Sequence, residues 1–319
     1  MDKGEVVISG ILPVDKSVGF TSHDVVAKVR KTLKMKKVGH AGTLDPFATG
    51  LLILLIGEGT KLSNYLMEGD KKYVAEIKLG EKTDSADLTG NIIEKQPFRH
   101  VTKDKVREVL KRFVGRSKQL PPMYSAIKVN GQTLFQLARK GVEVERKKRD
   151  IHIKSLKLVD FNLSGFTVEV ECGKGTYIRT LAEDICESLQ TCGHLTKLRR
   201  TYSGAFDDNS AIAIGDIADR EKLLHSMISL NNSLPMMVEA VINEDNVQSI
   251  VNGSKLRAGW IKLLSAKKVK EGEKIKLTDN TGSLLSITEV NRDIEDFNEI
   301  PATCIVGKSL RVFNSCLAR

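Results

Sequence analysis

The sequence predicts an α+β fold, with a large domain on a mainly antiparallel sheet and a small β-rich domain behind it. Three observations carry this. Residues 72–79 and 166–172 alternate apolar and polar side chains, the pattern of half-buried strands. Residues 20–33 and 103–114 repeat apolar side chains three and four apart, the pattern of amphipathic helices. Past about residue 235 the texture changes to short strands, turns and dense lysines. A chain of 319 residues is long enough for both units to bury a core.

In chain order, Thr21 or Ser22 caps the first helix, whose stripe is Val25, Val26, Val29 and Leu33. In the 72–79 strand, Tyr73, Ala75, Ile77 and Leu79 share one face. Thr102 is the candidate N-cap of the next helix and Gly115 its candidate C′ residue; Val106, Val109, Leu110 and Phe113 form the apolar stripe. Residues 151–158 and 166–172 read as strands. A Gly-Lys-Gly turn at 173–175 leads into a helix with Ile178, Leu181, Ala182, Ile185 and Leu189 on one face. Residues 274–290 read as a hairpin turning at Asp279-Asn280-Thr281-Gly282. The domains are placed at 1–235 and 236–319.

The net charge is +10 and the pI about 9.2, which favours an anionic partner, nucleic acid or a membrane surface. The longest apolar run, Leu51–Ile56, is far short of the ~20 residues that span a bilayer, so no membrane segment is expected. No signal peptide is expected from MDKGEVVISG. The five cysteines, at 172, 186, 192, 304 and 316, are odd in number and spread out, which suggests reduced thiols and a cytoplasmic location. Cys186, Cys192 and His194 lack zinc-site spacing, so no metal is expected.

Three segments carry candidate chemistry. Lys37 to Pro46 is glycine-rich and aperiodic. Its Asp45-Pro46 reads either as an N-cap with proline at N1 or as a carboxylate fixed on a rigid loop with His40 nearby. It is no phosphate-binding loop, since no Gly-Lys-Ser/Thr follows. In Gly173 to Thr180, Arg179 sits in a first helical turn, where the helix dipole disfavours a cation and a partner is needed. That partner is a surface group, a phosphate, or a buried carboxylate that Arg179 holds ionised. Tyr73 reads as a core tyrosine, or as one at a cavity edge that stacks on a base or passes a proton. Two basic stretches, Arg139 to Arg149 and Lys197 to Arg200, are solvated charge or a phosphate-binding rim.

The ordered stretches KVGHAGTLDPFATGLL, KKYVAEIKLGEKTDSADLTG, PPMYSAIKVNGQTLFQLARKGVEVERKKR, GKGTYIRTLAED and HLTKLRRTYSG closely resemble bacterial tRNA pseudouridine-55 synthases of the TruB type. The similarity covers about residues 11–205 well and the C-terminal part weakly. Ser17 stands where the first motif usually has proline, and Gln190 to Gly193 departs from the usual small-residue pattern. Neither departure touches a candidate catalytic position.

The resemblance implies a pseudouridine synthase fold with a curved, mixed, mainly antiparallel sheet, and a PUA-like C-terminal domain that contacts RNA. It implies that Asp45 is the catalytic aspartate, that Arg179 pairs with it, and that Tyr73 stacks on the target base. It implies that His40 fills the space left by the extruded nucleotide and that Tyr177 and Leu198 line the uracil pocket. Residues 121–149 resemble a thumb-like insertion gripping the RNA arm; Arg146, Lys148, Arg149, Arg199 and Arg200 are the candidate backbone contacts. The expected activity is isomerisation of uridine to pseudouridine in the T-arm of tRNA, by a monomer. No redox change is involved, and no cofactor is expected.

Two other readings compete. A guide-RNA-dependent synthase of the dyskerin type shares the Asp45 and Arg179 motifs, but the 121–149 stretch favours the stand-alone form. A non-catalytic RNA-binding protein or tRNA chaperone fits the charge, yet such a relative should have lost Asp45 or Arg179.

Overall fold

Two β-sheets share one apolar seam. The structure, a computed structural model, describes residues 8–125, 127–129, 131–265, 268–295 and 299–314. Cys316 and the side chain of Arg139 lie outside the described set.

The chain opens with β1 (Gly10–Lys16) and α1 (Ser22–Leu33). Thr21 caps α1 through a reciprocal box with Asp24, and Val25, Val26, Val29 and Leu33 are its buried stripe. Then come β2 (Val38–His40), β3 (Thr49–Ile56), α2 (Ser63–Glu68) and β4 (Lys71–Leu79). A small hairpin, β5 (Glu81–Thr83) and β6 (Ile92–Lys95), precedes α3 (Lys103–Phe113). The Thr102 hydroxyl accepts from the Lys105 amide at the start of α3, and Val114 and Gly115 close it, as the sequence predicts. β7 (Gly115–Gln119) is separated from its antiparallel partner by the 121–149 insertion. That insertion holds β8 (Lys128–Val129), β9 (Gln132–Thr133) and α4 (Leu134–Arg139). β10 (Arg149–Asn162), β11 (Gly165–Cys172), α5 (Ile178–Ser188) and β12 (Gly193–Ser203) follow, then β13 (Phe206–Asp207), β14 (Ile212–Ala213) and α6 (Arg220–His225).

The main sheet runs β14-β1-β3-β12-β4-β11-β10-β7, with β2 added on β3 and β13 on β12. It is mixed but mainly antiparallel: β1/β14 and β3/β12 are its parallel pairs. Register shifts in β10 and β12 bend it, since a bulge increases local twist. They also hid strands from the sequence. β10 is longer than the expected 151–158, and β12 was not expected as a strand at all. Its shifts at Leu195/Lys197 and Arg200/Tyr202 break the period-two pattern.

The second sheet comprises β15 (Glu239–Ile242), β16 (Leu256–Arg257), β17 (Ile261–Leu264), β18 (Lys274–Thr278), β19 (Leu284–Val290) and β20 (Ile305–Val312), in the order β16-β20-β19-β18-β15-β17. A short helix, α7 (Val247–Val251), packs on it. The expected hairpin is the β18/β19 pair, with the Asp279 carboxylate accepting from the Thr281 and Ser283 amides in the turn.

The expectation of half-buried strands fails at β3. Its residues 51–56 are all buried. Leu52, Leu54 and Ile56 join the main core beneath α1, α3 and α5. Leu51, Ile53 and Leu55 point the other way, into a cluster with Leu284, Ile287 and Phe313 of the second unit. The second sheet thus covers the back of the first, which is why the run is apolar throughout. Among the described residues, no helix is long and apolar enough to cross a membrane. Polar contacts flank the seam: Lys61 donates to the Val312 carbonyl at 2.7 Å, and Glu58, bound by Lys37 and Lys61, accepts from the Asn314 amide.

Phe313 is fully buried in this seam. Phe313→Ala should lower stability by about 3–5 kcal/mol, the range for a buried phenylalanine truncation. Urea denaturation followed by circular dichroism measures this, and a loss under about 1 kcal/mol would show that the seam contributes little.

Candidate active site

The site forms where the 41–48 loop, the start of α5 and the middle of β4 and β12 meet. The loop is pinned at several points. The Ser22 hydroxyl accepts from the Leu44 amide at 2.9 Å and lies 3.1 Å from the Leu44 carbonyl, and the Ala41 amide donates to Ile53. Pro46 offers its carbonyl to the Gly19 amide and the Lys16 ammonium. Lys16, fully buried, also donates to the carbonyls of Ser17 and Phe20. Gly42 has φ +104°, in the left-handed region that glycine tolerates. Gly50 is required by space as well: a Cβ there would lie 2.2 Å from the Arg200 carbonyl oxygen.

Asp45 caps no helix. Residues 46–47 form a turn closed by the Ala48 amide donating to the Asp45 carbonyl, so the N-cap reading is excluded. The carboxylate instead meets Arg179, with Nε 2.9 Å from Oδ2 and Nη2 3.2 Å from Oδ1. Such a fork fixes direction as well as distance. Arg179 is held behind this contact, Nη1 donating to the Ser85 carbonyl at 3.1 Å and Nη2 to the Tyr124 carbonyl at 2.6 Å. Its side chain is 5% exposed, whereas that of Asp45 is 33% exposed, so the carboxylate alone faces outward. Burial pushes the Asp45 carboxyl above its ordinary range; Arg179 opposes this most strongly, Asp87 adds to it and Lys16 opposes it. Burial also lowers Lys16, to about 8, with Asp45 pulling the other way.

Tyr73 lies on β4, half-buried against the main core. Burial raises its phenol and Arg200 opposes the rise. His40 ends β2; among the described residues no group hydrogen-bonds its buried Nδ1, and burial, then Arg200 and His23, lower its pKa, which favours the neutral ring. Tyr177 is the N-cap residue of α5. The Gln119 side-chain amide grips its backbone, accepting from Tyr177 N at 2.9 Å and donating to its carbonyl at 3.1 Å. Leu198, buried on β12, stands opposite Ala75 of β4.

The basic candidates divide. Lys148 and Arg149 are exposed where the insertion rejoins the sheet. Arg146 is turned inward and bridges the ends of the insertion, donating to the Pro121 carbonyl at 3.0 Å and pairing with Glu143. Arg199 is occupied by two carboxylates, Asp15 (3.0 and 3.1 Å) and Asp208 (2.9 Å). Arg200 is corrected outright. It is 1% exposed, with Nε donating to the Leu51 carbonyl and Nη2 to the Gly42 carbonyl, and so presents nothing to a surface phosphate. The strand alternation of β12, unseen in the sequence, puts it inside.

Sequence reasoning missed Lys16, Ser85, Asp87, Gln119 and Tyr124. Asp87 is buried and its Oδ1 accepts from the Ser85 and Thr89 hydroxyls and the Thr89 amide, which fixes the turn that offers the Ser85 carbonyl to Arg179. The Asp/Ser/Thr density of residues 84–89 signals such a turn, though not its target.

A family model described as "TruB family pseudouridylate synthase (N terminal domain)" matches residues 30–178, and one described as "tRNA pseudouridylate synthase B C-terminal domain" matches 179–234. The chain is 41% identical over 256 residues to the tRNA pseudouridine synthase B of Alkaliphilus oremlandii, covering 80% of this chain and 85% of that one. It is 45% identical over 230 residues to that of Geobacter sulfurreducens, covering 71% and 76%. Among solved structures, it is similar to a chain of a Cbf5-Nop10-Gar1 complex, with TM-score 0.74 and 25% identity, over 95% of this chain and 84% of that one.

Because Arg179 is the strongest influence holding Asp45 down, Arg179→Lys, which loses the fork, should raise the Asp45 pKa further. Carboxyl ¹³C NMR titration of labelled aspartate reads this directly; an unmoved or lowered Asp45 midpoint would contradict it.

Proposed function

The chain belongs to the TruB family of pseudouridylate synthases and isomerises uridine to pseudouridine in tRNA; we propose that its target is uridine 55 in the T-arm and that Asp45 is its catalytic carboxylate. The observation that carries the second part is the two-point pair with Arg179, which leaves one carboxylate oriented and open.

The reaction breaks the C1′–N1 bond, turns the base and rejoins it through C5. An ionised carboxylate serves either as a nucleophile toward the sugar or base, or as the counter-charge to a glycosyl cation while the C2′ proton is removed. Both routes need Asp45 ionised, and Arg179 favours that form. Tyr73 stacks on the extruded uracil and takes part in its proton transfer, directly or through a water. Tyr177 and Leu198 line the base. Neutral His40 occupies the space that the nucleotide vacates. Flipping costs on the order of a few kcal/mol, which stacking and phosphate contacts offset. Lys148 and Arg149 on the insertion supply such contacts, and the C-terminal sheet acts as a PUA-like RNA-binding unit.

A second reading has one observation behind it: the similar solved fold comes from a multi-protein complex. We favour a single chain acting without guide RNA, since the 121–149 insertion is anchored at the active site through the Tyr124 carbonyl. Turnover on a bare T-arm hairpin separates the two, and a strict need for an added guide would reverse the choice.

Asp45→Asn should abolish tritium release from T-arm RNA labelled at uridine C5 while RNA affinity stays within a fewfold of wild type. Wild-type-like release would refute the assignment. Lys148→Ala and Arg149→Ala should each weaken binding and reduce the log–log salt slope by about 0.7–0.9, as expected for one phosphate contact. A slope unchanged in both would place the RNA elsewhere.

A further inference from the structure

Arg200 is a buried cation, and among the described residues no carboxylate pairs with it. A buried charge is costly unless something compensates it. Its identified hydrogen bonds go to two backbone carbonyls, Leu51 at 2.7 Å and Gly42 at 3.1 Å. These fix the guanidinium without neutralising it. The two carbonyls take up Nε and one terminal nitrogen, and among the described residues the positive charge is left without a counter-charge.

What Arg200 faces gives the reason. In the antiparallel pairing of β12 with β4, Arg200 stands directly opposite Tyr73, so their side chains share one face. The same guanidinium contacts the carbonyl of Gly42, in the loop that carries Asp45. We propose that Arg200 is a positioning residue for the reaction: it orients the Tyr73 phenol and stabilises negative charge on its oxygen while Tyr73 accepts the C5 proton.

This rests on the reading of Tyr73 as the proton acceptor. In the step concerned, C5 already carries the new bond to C1′. The C5–H bond breaks and its electron pair restores the C5=C6 double bond as the C6=N1 pair moves onto N1; the proton passes to the oxygen of Tyr73, present as the phenolate after its own proton has gone to solvent, and N1 takes a proton from solvent. The groups acting on Tyr73 are Arg200 from β12, Cys172 from β11 and Asp45 from the loop. Cys172 is a buried thiol pushed up to about 11 and so neutral. Asp45 is negative and disfavours a second anion. Around Arg200 stand Lys16, Lys71 and His40, each held down by burial and by Arg200 itself. Among the described residues, Arg200 is the guanidinium directly opposite the phenol in the β12/β4 pairing.

The test is single-turnover kinetics against pH on T-arm RNA with protium or deuterium at uridine C5. The proteins are full-length wild type, Arg200→Lys, Arg200→Gln and Tyr73→Phe, each checked for a wild-type unfolding transition. Arg200→Gln should slow turnover about 10²-fold at neutral pH. Its pH–rate profile should move to higher pH, since the phenol loses its stabilising cation, with a primary isotope effect at C5. Arg200→Lys should move the same way by less, because one ammonium cannot serve two carbonyls and a phenol. Should Arg200→Gln not fold, the Arg200→Lys profile decides. Lower rates with a profile parallel to wild type would mean that Arg200 only supports the fold, and would overturn the proposal. Wild-type-like turnover by Tyr73→Phe would remove the underlying reading, and this proposal with it. An inactive Tyr73→Phe beside unshifted Arg200 profiles would remove the Arg200 role alone.

Discussion

The ion pair between Asp45 and Arg179 is the constraint around which the larger sheet and its loops are arranged. A guanidinium in the first turn of α5 sits against the helix dipole, and burying it adds to the cost. The structure meets both costs by surrounding Arg179 with acceptors: the Asp45 carboxylate and the carbonyls of Ser85 and Tyr124. Each comes from a different loop. The pair therefore ties together the 41–48 loop, the 84–89 turn and the root of the insertion. Displacing any one would leave a donor of a buried cation unmet.

Such loops need a rigid support, and the central strands supply it. β3 is buried on both faces because the second sheet packs against its back. β12 lies between β3 and β4 and so sets the distance from Gly50 and the Asp45 loop to Tyr73. The C-terminal unit thus backs the strands that carry the candidate site.

Much of this was legible in the sequence where signals are local. Thr21, Thr102, the 166–172 alternation and the Asp279–Gly282 turn act within a few residues, and each appears as read. The motif resemblance placed Asp45, Tyr73 and Arg179 together, and the structure brings them to one site. What stayed hidden depends on tertiary context. The bulges in β12 concealed a strand and turned Arg200 from an apparent surface charge into an interior one. Arg199 looked free for phosphate because Asp15 and Asp208 meet it only after folding. Gln119 and Ser85 contribute to the site through backbone contacts, which leave little trace in residue type.

The charges around Asp45 do opposing work, and the balance suits the role proposed for it. Burial and Asp87 push the carboxyl up, while Arg179 and Lys16 hold it down. A carboxylate stabilised by cations alone would be ionised but a weak nucleophile and a weak base. One destabilised by burial alone would be protonated at neutral pH and inert. The two-point contact with Arg179 favours the charged form, while burial favours the protonated one and so raises basicity. Lys16 adds to this from behind the loop, where carbonyls of Ser17, Phe20 and Pro46 hold its ammonium. Its attraction to Asp45 is thereby weaker than a direct salt bridge would give. A second direct cation on Asp45 would favour its ionised form further and lower its basicity. The enclosing carbonyls let the fold place positive charge near the carboxylate without quenching it.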